Sequence, residues 1–119
     1  MIKKILIIDD DAELCYEIAE ILNHDKCRIE IAPNGKKGKL FLKKQEYDII
    51  LLDYRLPDLN GIDILKYIKS KKIKSKIFIM SGRPFIERLL MEKKLSNIVT
   101  SVIQKPFNPE NFVEKVYNS

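Results

Sequence analysis

One stretch constrains the fold of this chain more than any other: Ile49-Ile50-Leu51-Leu52-Asp53. The four apolar side chains would point alternately to the two faces of a strand, so both faces must be buried. This pattern predicts a strand inside a parallel sheet that is covered by helices. The run ends on a carboxylate, at the carboxyl end of the predicted strand. Ligands and chemistry collect at that end in such sheets, so Asp53 is a candidate functional residue.

A second apolar run, at residues 5–8, is followed by the acids Asp9 and Asp10. Along the chain, apolar runs alternate with helical patterns five times. This alternation predicts an α/β fold built on a doubly wound parallel sheet. Residues 27–31 alternate apolar and polar side chains, which is typical of an edge strand. The predicted strands cover residues 4–8, 27–31, 49–53, 76–80 and 99–103.

Helical spacing predicts where helices begin and which side chains they bury. Asp11 is expected to be the N-cap of the first helix. Asn60 and Asp63 predict a capping box at the start of the third helix, and Pro84 is expected to begin the fourth. The side chains expected to be buried are Leu14, Ile18 and Ile21 in the first helix and Leu40 and Phe41 in the second. In the fourth helix they are Phe85, Ile86, Leu89 and Leu90, and in the fifth Phe112, Val113, Val116 and Tyr117.

Size and composition narrow the class of protein. With 119 residues, the chain suits one domain that buries roughly two-thirds of its unfolded surface. No apolar run approaches the roughly 20 residues that cross a bilayer, and acids at 9–11 cut off the first run well short of a signal-peptide core. We therefore expect no membrane insertion and a cytoplasmic location. In a reducing compartment, Cys15 and Cys27 are expected to be packing groups and not a disulfide.

The charge pattern does not indicate a nucleic-acid interface. The net charge is +5, from 22 Lys and Arg against 17 Asp and Glu, but the lysines are dispersed over predicted helices and linkers. A nucleic-acid-binding surface is typically a basic stripe with stacking aromatics, or a helix-turn-helix, and neither pattern is visible in the sequence. We therefore expect no direct contact with nucleic acid. The single histidine, His24, is interpreted as part of a solvated helix terminus.

Polar side chains follow four of the predicted strands. Asp9 and Asp10 follow the first strand, and Asp53 ends the third. Ser81 follows the fourth strand, and Lys105 comes soon after the fifth. Because the carboxyl ends of parallel strands meet at one edge of the sheet, we expect these five residues to converge.

The converging residue types predict a metal site and a reaction. Three clustered carboxylates repel one another unless a cation lies among them, and oxygen ligands of this kind suit Mg²⁺. A carboxylate beside Mg²⁺ can accept a phosphoryl group and form an acyl phosphate. That transfer depends chiefly on positioning and on the neutralisation of charge. The ammonium of Lys105 and the hydroxyl of Ser81 are groups that can contact the phosphoryl oxygens.

With these residues in this order, the chain resembles the receiver domains of two-component response regulators, in particular the single-domain regulators of chemotaxis. The resemblance runs from the first strand to the last helix. It implies a flavodoxin-like receiver fold, with a five-stranded parallel sheet in the order 2-1-3-4-5 and helices on both faces. It also implies one receiver domain over residues 1–119, with no output domain on this chain. The residues that carry it are Asp9-Asp10, Asp53 with Pro57 and Gly61, Ser81-Gly82 and Lys105-Pro106-Phe107.

The resemblance implies a role for each site residue. Asp53 is the phospho-acceptor, and Ser81 and Lys105 contact the phosphoryl group. The peptide bond between Lys105 and the proline after it is expected to be cis, a form that is realistic only before proline. The implied ligands of Mg²⁺ are Asp9, Asp10, Asp53 and the backbone carbonyl of Arg55.

By the same resemblance, the chain is a signalling module and not an enzyme, apart from its own phosphotransfer and autodephosphorylation. It takes its phosphoryl group from a sensor histidine kinase or a histidine phosphotransfer protein. Phosphorylation then shifts the population between two conformational states. The surface that binds a downstream protein is expected to comprise the fourth helix, the fifth strand and the fifth helix.

The sequence departs from the family pattern at two places before Lys105. Val102 occupies a position that usually holds Tyr, Phe or His, and Ile98-Val99 replaces the usual Gly-Ala. An aromatic switch cannot operate through a valine. We therefore expect any conformational readout to depend on Ser81 and the adjoining fourth helix.

Other functions fit parts of the same sequence. A receiver-like platform that binds its partners without phosphorylation would carry the same residues. A haloacid-dehalogenase-like phosphohydrolase would use Asp9 as its nucleophile and Asp11 as the second acid of its motif. In that class, however, Glu13 stands where Thr or Val is usual, and the chain leaves little room for a substrate cap. A flavodoxin-like cofactor binder is disfavoured, because an acidic first loop cannot cradle a phosphate.

Overall fold

Five apolar runs and five amphipathic segments alternate in the structure, a computed structural model that describes residues 3–22 and 26–117. The strands are β1 (Lys3–Ile8), β2 (Cys27–Ala32), β3 (Ile49–Asp53), β4 (Lys76–Ser81) and β5 (Ser101–Gln104). The helices are α1 (Ala12–Leu22), α2 (Gly35–Lys44), α3 (Gly61–Ser70), α4 (Ile86–Glu92) and α5 (Pro109–Tyr117), with a 3₁₀ helix at Ser96–Ile98. The helix terminus predicted at His24 lies outside the described residues.

The five strands form one parallel sheet in the order β2-β1-β3-β4-β5, which confirms the predicted topology. Ile8, the last residue of β1, pairs with the residue before Asp53, so the acids that follow β1 lie beside the end of β3. Ser81 pairs with Gln104, which places it beside the residue before Lys105. The register therefore brings four strand ends together at one edge of the sheet.

Helices cover both faces of the sheet, as predicted. On one face, Leu6 and Ile8 of β1 pack with α2, α3 and α4, and on the other face Ile5 and Ile7 pack with α1 and α5. All five residues of β3 are buried, and full burial of each Ile or Leu side chain contributes about 1.5–3 kcal/mol to stability. Within the described ranges 3–22 and 26–117, no helix has the length and apolar character needed to cross a membrane.

The first helix faces the core with a different stripe from the one predicted. Ile21 is 40% exposed and Leu14 is half-buried, whereas Cys15, Ile18 and Leu22 are buried. Both stripes share Ile18 and both have helical spacing, so periodicity alone could not separate them. The stripe that packs contains the small Cys15, which fits close to the end of β1.

The second helix buries Leu42 and not Leu40, so that prediction was wrong. Leu40 is 43% exposed and Phe41 is half-buried. The reason lies at Gly38, where a β-carbon would come within 2.7 Å of the Cδ1 atom of Ile8. Because glycine lets α2 approach β1 closely on this side, Leu42, four residues later on the same side, faces the sheet.

The fourth helix begins at Ile86 and not at Pro84. Pro84 and Phe85 form a turn, which leaves Phe85 71% exposed and not buried as predicted, and Leu89 is half-buried. The predicted packing of Ile86 and Leu90 is confirmed, since both are buried.

The fifth strand begins at Ser101 and not at Val99. The N–H of Val99 donates to the carbonyl of Ser96 at 3.4 Å in a 3₁₀ turn, so the chain joins the sheet two residues later than predicted. In α5, Phe112 and Val116 are buried as predicted, but Tyr117 is 39% exposed. The side chain at position 113 lies outside what the structure describes.

Candidate functional site

The carboxyl edge of the sheet opens into a cleft of about 630 Å³. It lies where the ends of β1, β3, β4 and β5 meet, as the sheet register requires. Every residue that the sequence predicted for the site lines this cleft. The lining residues include Asp9, Asp10, Asp53, Arg55, Ser81 and Lys105, together with Asp11, Tyr54 and Arg83.

Asp9 lies at the buried side of the cleft and is held from two directions. Its side chain is fully buried; one carboxylate oxygen accepts from the Asp11 N–H at 3.0 Å and the other from the Lys105 ammonium at 2.8 Å. Asp11 in turn accepts from the N–H of Leu14 at 3.0 Å, so it caps α1 as predicted. Asp9 is therefore fixed in position while Asp10, next to it, is exposed.

Asp53 is a buried carboxylate with a perturbed proton affinity. Burial and, second, the negative charge of Asp9 raise the pKa of Asp53 from 3.8 to about 6. The ammonium of Lys105, 3.4 Å away, and a hydrogen bond from the Arg55 N–H act in the opposite direction. Asp53 thus lies in a site whose negative charge is only partly compensated.

Lys105 reaches the two buried acids from the loop after β5. Burial alone would lower the pKa of Lys105, but its hydrogen bond to Asp9 and the charge of Asp53 outweigh burial, and the net shift is upward. Its backbone N–H donates to the carbonyl of Ser81 at 2.8 Å, and its peptide bond to the next proline is cis, as predicted. The ammonium is therefore charged and aimed at the carboxylates.

Ser81 ends β4, the strand between β3, which carries Asp53, and β5, which leads to Lys105. Its hydroxyl oxygen accepts from the N–H of Arg83 at 3.0 Å, and that bond does not use the hydroxyl proton. The guanidinium of Arg83 lies 5.4 Å from the ring centroid of Tyr54, a cation–π contact at the mouth of the cleft. Ser81 therefore lies at a wall of the cleft with a proton available for donation.

The acids of the cleft have the chemistry of a magnesium site. Asp9, Asp10 and Asp53 each offer one carboxylate oxygen, and these three atoms lie within 4.8 Å of one another. Mg²⁺ takes oxygen ligands, including one or two carboxylates, and keeps several waters. With three acids and one lysine, the site has an excess of negative charge that a divalent cation would neutralise. The residues present fit the ion that the sequence predicted.

Sequence reasoning missed Asp58, which follows Asp53 in the loop before α3. Its carboxylate accepts hydrogen bonds from the backbone N–H groups of Gly35 and Lys36, at the start of α2. The two segments are more than 20 residues apart in sequence. No local motif reports such a contact, because an acid after Pro57 is common in turns and predicts only turn geometry.

Comparison with known proteins finds relatives along almost the whole chain. The cell cycle response regulator CtrA of Brucella ovis is 29% identical over 114 residues, which are 96% of this chain and 48% of that protein. The chain therefore spans about half the length of the curated relatives it matches.

Solved structures show the same fold. A CheY-like response regulator receiver domain from Methanospirillum hungatei has a TM-score of 0.86 at 26% identity, covering 99% of this chain and 93% of its own. The response regulator TrrA of Thermotoga maritima, solved in complex with Mg²⁺ and BeF, has a TM-score of 0.80 at 25% identity, covering 98% of both chains. The family model for the response regulator receiver domain matches residues 5–117. This chain belongs to the response regulator receiver domain family.

Proposed function

We propose that Asp53 accepts a phosphoryl group from the phosphohistidine of a sensor kinase or histidine phosphotransfer protein, in the cytoplasm and with Mg²⁺. The observation that carries the proposal is the position of this carboxylate. It is buried in an open cleft, 3.4 Å from the ammonium of Lys105. One of its oxygens lies within 4.8 Å of oxygens of Asp9 and Asp10. A nucleophile, a cationic side chain and a metal-binding set are thus in one place.

The proposed transfer is a single displacement at phosphorus. An oxygen of Asp53 attacks the phosphorus atom, the P–N bond to the histidine breaks, and the imidazole nitrogen leaves with the bonding electrons. A pKa of about 6 leaves Asp53 mostly ionised, and therefore nucleophilic, at neutral pH. Lys105 is placed to compensate negative charge on the phosphoryl oxygens, and the Ser81 hydroxyl can donate a hydrogen bond to one of them.

Mg²⁺ would be held by the carboxylates of the site, namely Asp9, Asp10 and Asp53, with the backbone carbonyl of Arg55. When bound, it supplies positive charge for the phosphoryl oxygens and for the clustered acids. One oxygen of Asp9 accepts from Lys105 and the other from the N–H of Asp11, and each carboxylate oxygen keeps a further lone pair for the ion or its water shell. The chemistry of the site is thereby limited to charge neutralisation and positioning.

The proposed output is binding to a downstream protein through α4, β5 and α5. Phe85, just before α4, is 71% exposed, and Met91 within α4 is 69% exposed. Exposed aromatic and methionine side chains are enriched in protein interfaces. This surface adjoins the cleft through Ser81 and the turn that follows it. Residues 1–119 are proposed to act together as this receiver unit.

The conformational readout is expected to survive replacement of Val102 by alanine. Val102 is half-buried and packs with the core cluster that α4 also joins, but it has no polar atom that could follow a phosphoryl group. We expect phosphorylation to shift the amide NMR signals of α4 in the native chain and in Val102→Ala, and to leave them unshifted in Ser81→Ala. Loss of the α4 shifts in Val102→Ala, with Asp53 still phosphorylated, would contradict this readout.

Intact mass after incubation with acetyl phosphate tests the proposed function. We expect a gain of one phosphoryl group in the presence of Mg²⁺ and none in EDTA, because the three acids need a cation before a phosphate dianion can approach. Reduction with borohydride followed by peptide mapping should place the modification at Asp53.

Two other results would select the alternative functions. No mass gain from acetyl phosphate or from a phosphorylated histidine phosphotransfer protein would favour a platform that works without phosphate. A label trapped at Asp9 would favour the phosphohydrolase.

A further inference from the structure

The loop between β3 and α3 is tied at its tip to the start of α2. The carboxylate of Asp58 accepts from the N–H of Gly35 at 2.8 Å and from the N–H of Lys36 at 2.9 Å. It also accepts from the N–H of Leu59 at 2.8 Å. These bonds, that to Lys36 foremost, lower the pKa of Asp58, so the carboxylate is ionised at neutral pH. We define the contacts of Asp58 with Gly35 and Lys36 as the Asp58 clasp.

The Asp58 clasp supplies hydrogen-bond acceptors for the first N–H groups of α2. Gly35 and Lys36 are the first two residues of this helix, and such N–H groups have no partner within the helix. The partial positive charge at a helix start also favours a carboxylate. Asn34, the N-cap, satisfies the next N–H, that of Lys37, at 2.8 Å. The start of α2 is thus capped by its N-cap residue Asn34 and by Asp58 from the loop that follows β3.

The helix is a firm support for this loop. Gly38 packs closely on Ile8, and a β-carbon on Gly38 would lie 2.7 Å from the Cδ1 atom of Ile8. Ile8 directly precedes Asp9, so α2 is held against the strand that carries two of the site acids. A loop attached to the start of α2 is therefore held at a fixed position relative to those acids.

The base of the same loop is anchored by other contacts. The N–H of Gly61 donates to the carbonyl of Tyr54 at 2.7 Å, and Arg55 pairs with Asn60 in an antiparallel bridge. Asn60 and Asp63 form the predicted capping box of α3. Arg55 is thus part of the base, and its N–H lies close enough to the carboxylate of Asp53 to lower the pKa of Asp53. The base holds the Arg55 peptide directly, and the Asp58 clasp fixes the same loop at its tip.

We propose that Asp58 is a positioning residue of the phosphorylation site. The Asp58 clasp holds the loop so that the Arg55 peptide keeps its N–H on Asp53 and its carbonyl in place for Mg²⁺. This inference rests on the proposed function, because it assigns a second residue to the same metal site. Asp58 itself is exposed, and within the described residues its hydrogen bonds come from backbone N–H groups. It is not part of the cleft lining, so it acts through the loop.

The test is the affinity for Mg²⁺, measured by amide NMR titration with no phosphoryl donor present. Residues that orient metal ligands typically contribute 10–100-fold to affinity, and the loop keeps its base anchors here, so we expect Asp58→Ala to weaken Mg²⁺ binding by about 5- to 10-fold. Phosphorylation by acetyl phosphate should need correspondingly more Mg²⁺, with a maximal rate within about twofold of the native rate.

Two variants separate positioning from its alternatives. Asn34→Ala removes the other cap of α2 but leaves the loop attached. It should bind Mg²⁺ like the native chain. Gly35→Ala keeps the charge of Asp58, but its β-carbon would lie 2.9 Å from Cβ of Leu59 and 3.1 Å from the Asp58 carboxylate. It should displace the loop and weaken Mg²⁺ binding as Asp58→Ala does.

Three outcomes would overturn the inference. Native affinity in Asp58→Ala would show that the clasp has no effect on the ion. Equal weakening in Asn34→Ala would show that α2 stability, and not the loop, matters. If Gly35→Ala binds Mg²⁺ with native affinity and Asp58→Ala binds it more weakly, the loss in Asp58→Ala comes from the missing negative charge and not from the position of the loop. Failure of the proposed function would be visible separately, as a native chain that gains no phosphoryl group on Asp53.

Discussion

An Asp53→Asn variant is expected to gain no phosphoryl group from acetyl phosphate and to resist unfolding better than the native chain at pH 7.5. The amide is not a nucleophile, so the transfer loses its acceptor. The gain in stability follows from the raised pKa of Asp53, because folding buries this charge beside Asp9. A rise from 3.8 to about 6 corresponds to at most about 3 kcal/mol, so we expect a gain of about 1–3 kcal/mol in EDTA.

The pH dependence of this gain has a definite sign. The folded state holds the proton of Asp53 more tightly than the unfolded state, so native stability falls as pH rises from about 4 to about 6. Below that window both states are protonated at this carboxyl, and above it both are ionised. The advantage of Asp53→Asn should therefore be small at pH 4, grow between pH 4 and 6, and stay constant above pH 6. Urea unfolding at several pH values measures it.

A matched control is Glu20→Gln, which makes the same change from carboxylate to amide at an exposed position of α1. It should alter neither phosphorylation nor stability by more than about 0.5 kcal/mol. Phosphorylation that persists in Asp53→Asn but disappears in Asp9→Asn would contradict the assignment of the acceptor. A variant less stable than the native chain at pH 7.5 would contradict the prediction. It would show that the lost attraction between Asp53 and Lys105 costs more stability than removal of the buried negative charge adds.

The sheet and the composition of the cleft could be predicted because both depend on short, local signals. An apolar run such as residues 49–52 of β3 indicates a strand that is buried on both faces. In a parallel sheet the carboxyl ends of all strands lie at the same edge. Once strands one, three, four and five are recognised, Asp9, Asp53, Ser81 and Lys105 must meet. The distances that join them, such as 2.8 Å from Lys105 to Asp9, follow from packing and were not predictable.

The features that sequence reasoning missed depend on contacts between distant segments. Ile21 and Leu22 are neighbours with nearly equal hydrophobicity, and only the sheet beneath α1 decides which is buried. Leu42 replaces Leu40 in the core because Gly38 brings α2 onto Ile8. Asp58 is a loop acid in the sequence and gains its partners only when α2 lies beside the loop. Periodicity has no information about any of these.

A Lys105→Met variant is expected to be phosphorylated about 10²- to 10³-fold more slowly than the native chain at saturating Mg²⁺, the usual cost of removing one preorganised electrostatic contact. Methionine keeps most of the aliphatic stem, so packing is largely retained. The ammonium it removes lies 2.8 Å from Asp9 and 3.4 Å from Asp53. Within the described ranges, Arg55 and Arg83, which also line the cleft, form no ion pair with these two acids. Rates are read from intact mass at increasing times.

The same variant should also change the response of the protein to Mg²⁺. Without the ammonium, Asp9 and Asp53 are two buried acids lacking their cationic partner, which costs stability in EDTA by about 1–3 kcal/mol. Mg²⁺ should restore more stability to Lys105→Met than to the native chain, because the ion meets less competing positive charge. Lys93→Met, on an exposed position after α4, controls for the lost charge and should leave rate and stability unchanged. A Lys105→Met rate within threefold of the native rate would mean that the ammonium only neutralises the acids of the resting site and takes no part in the transfer.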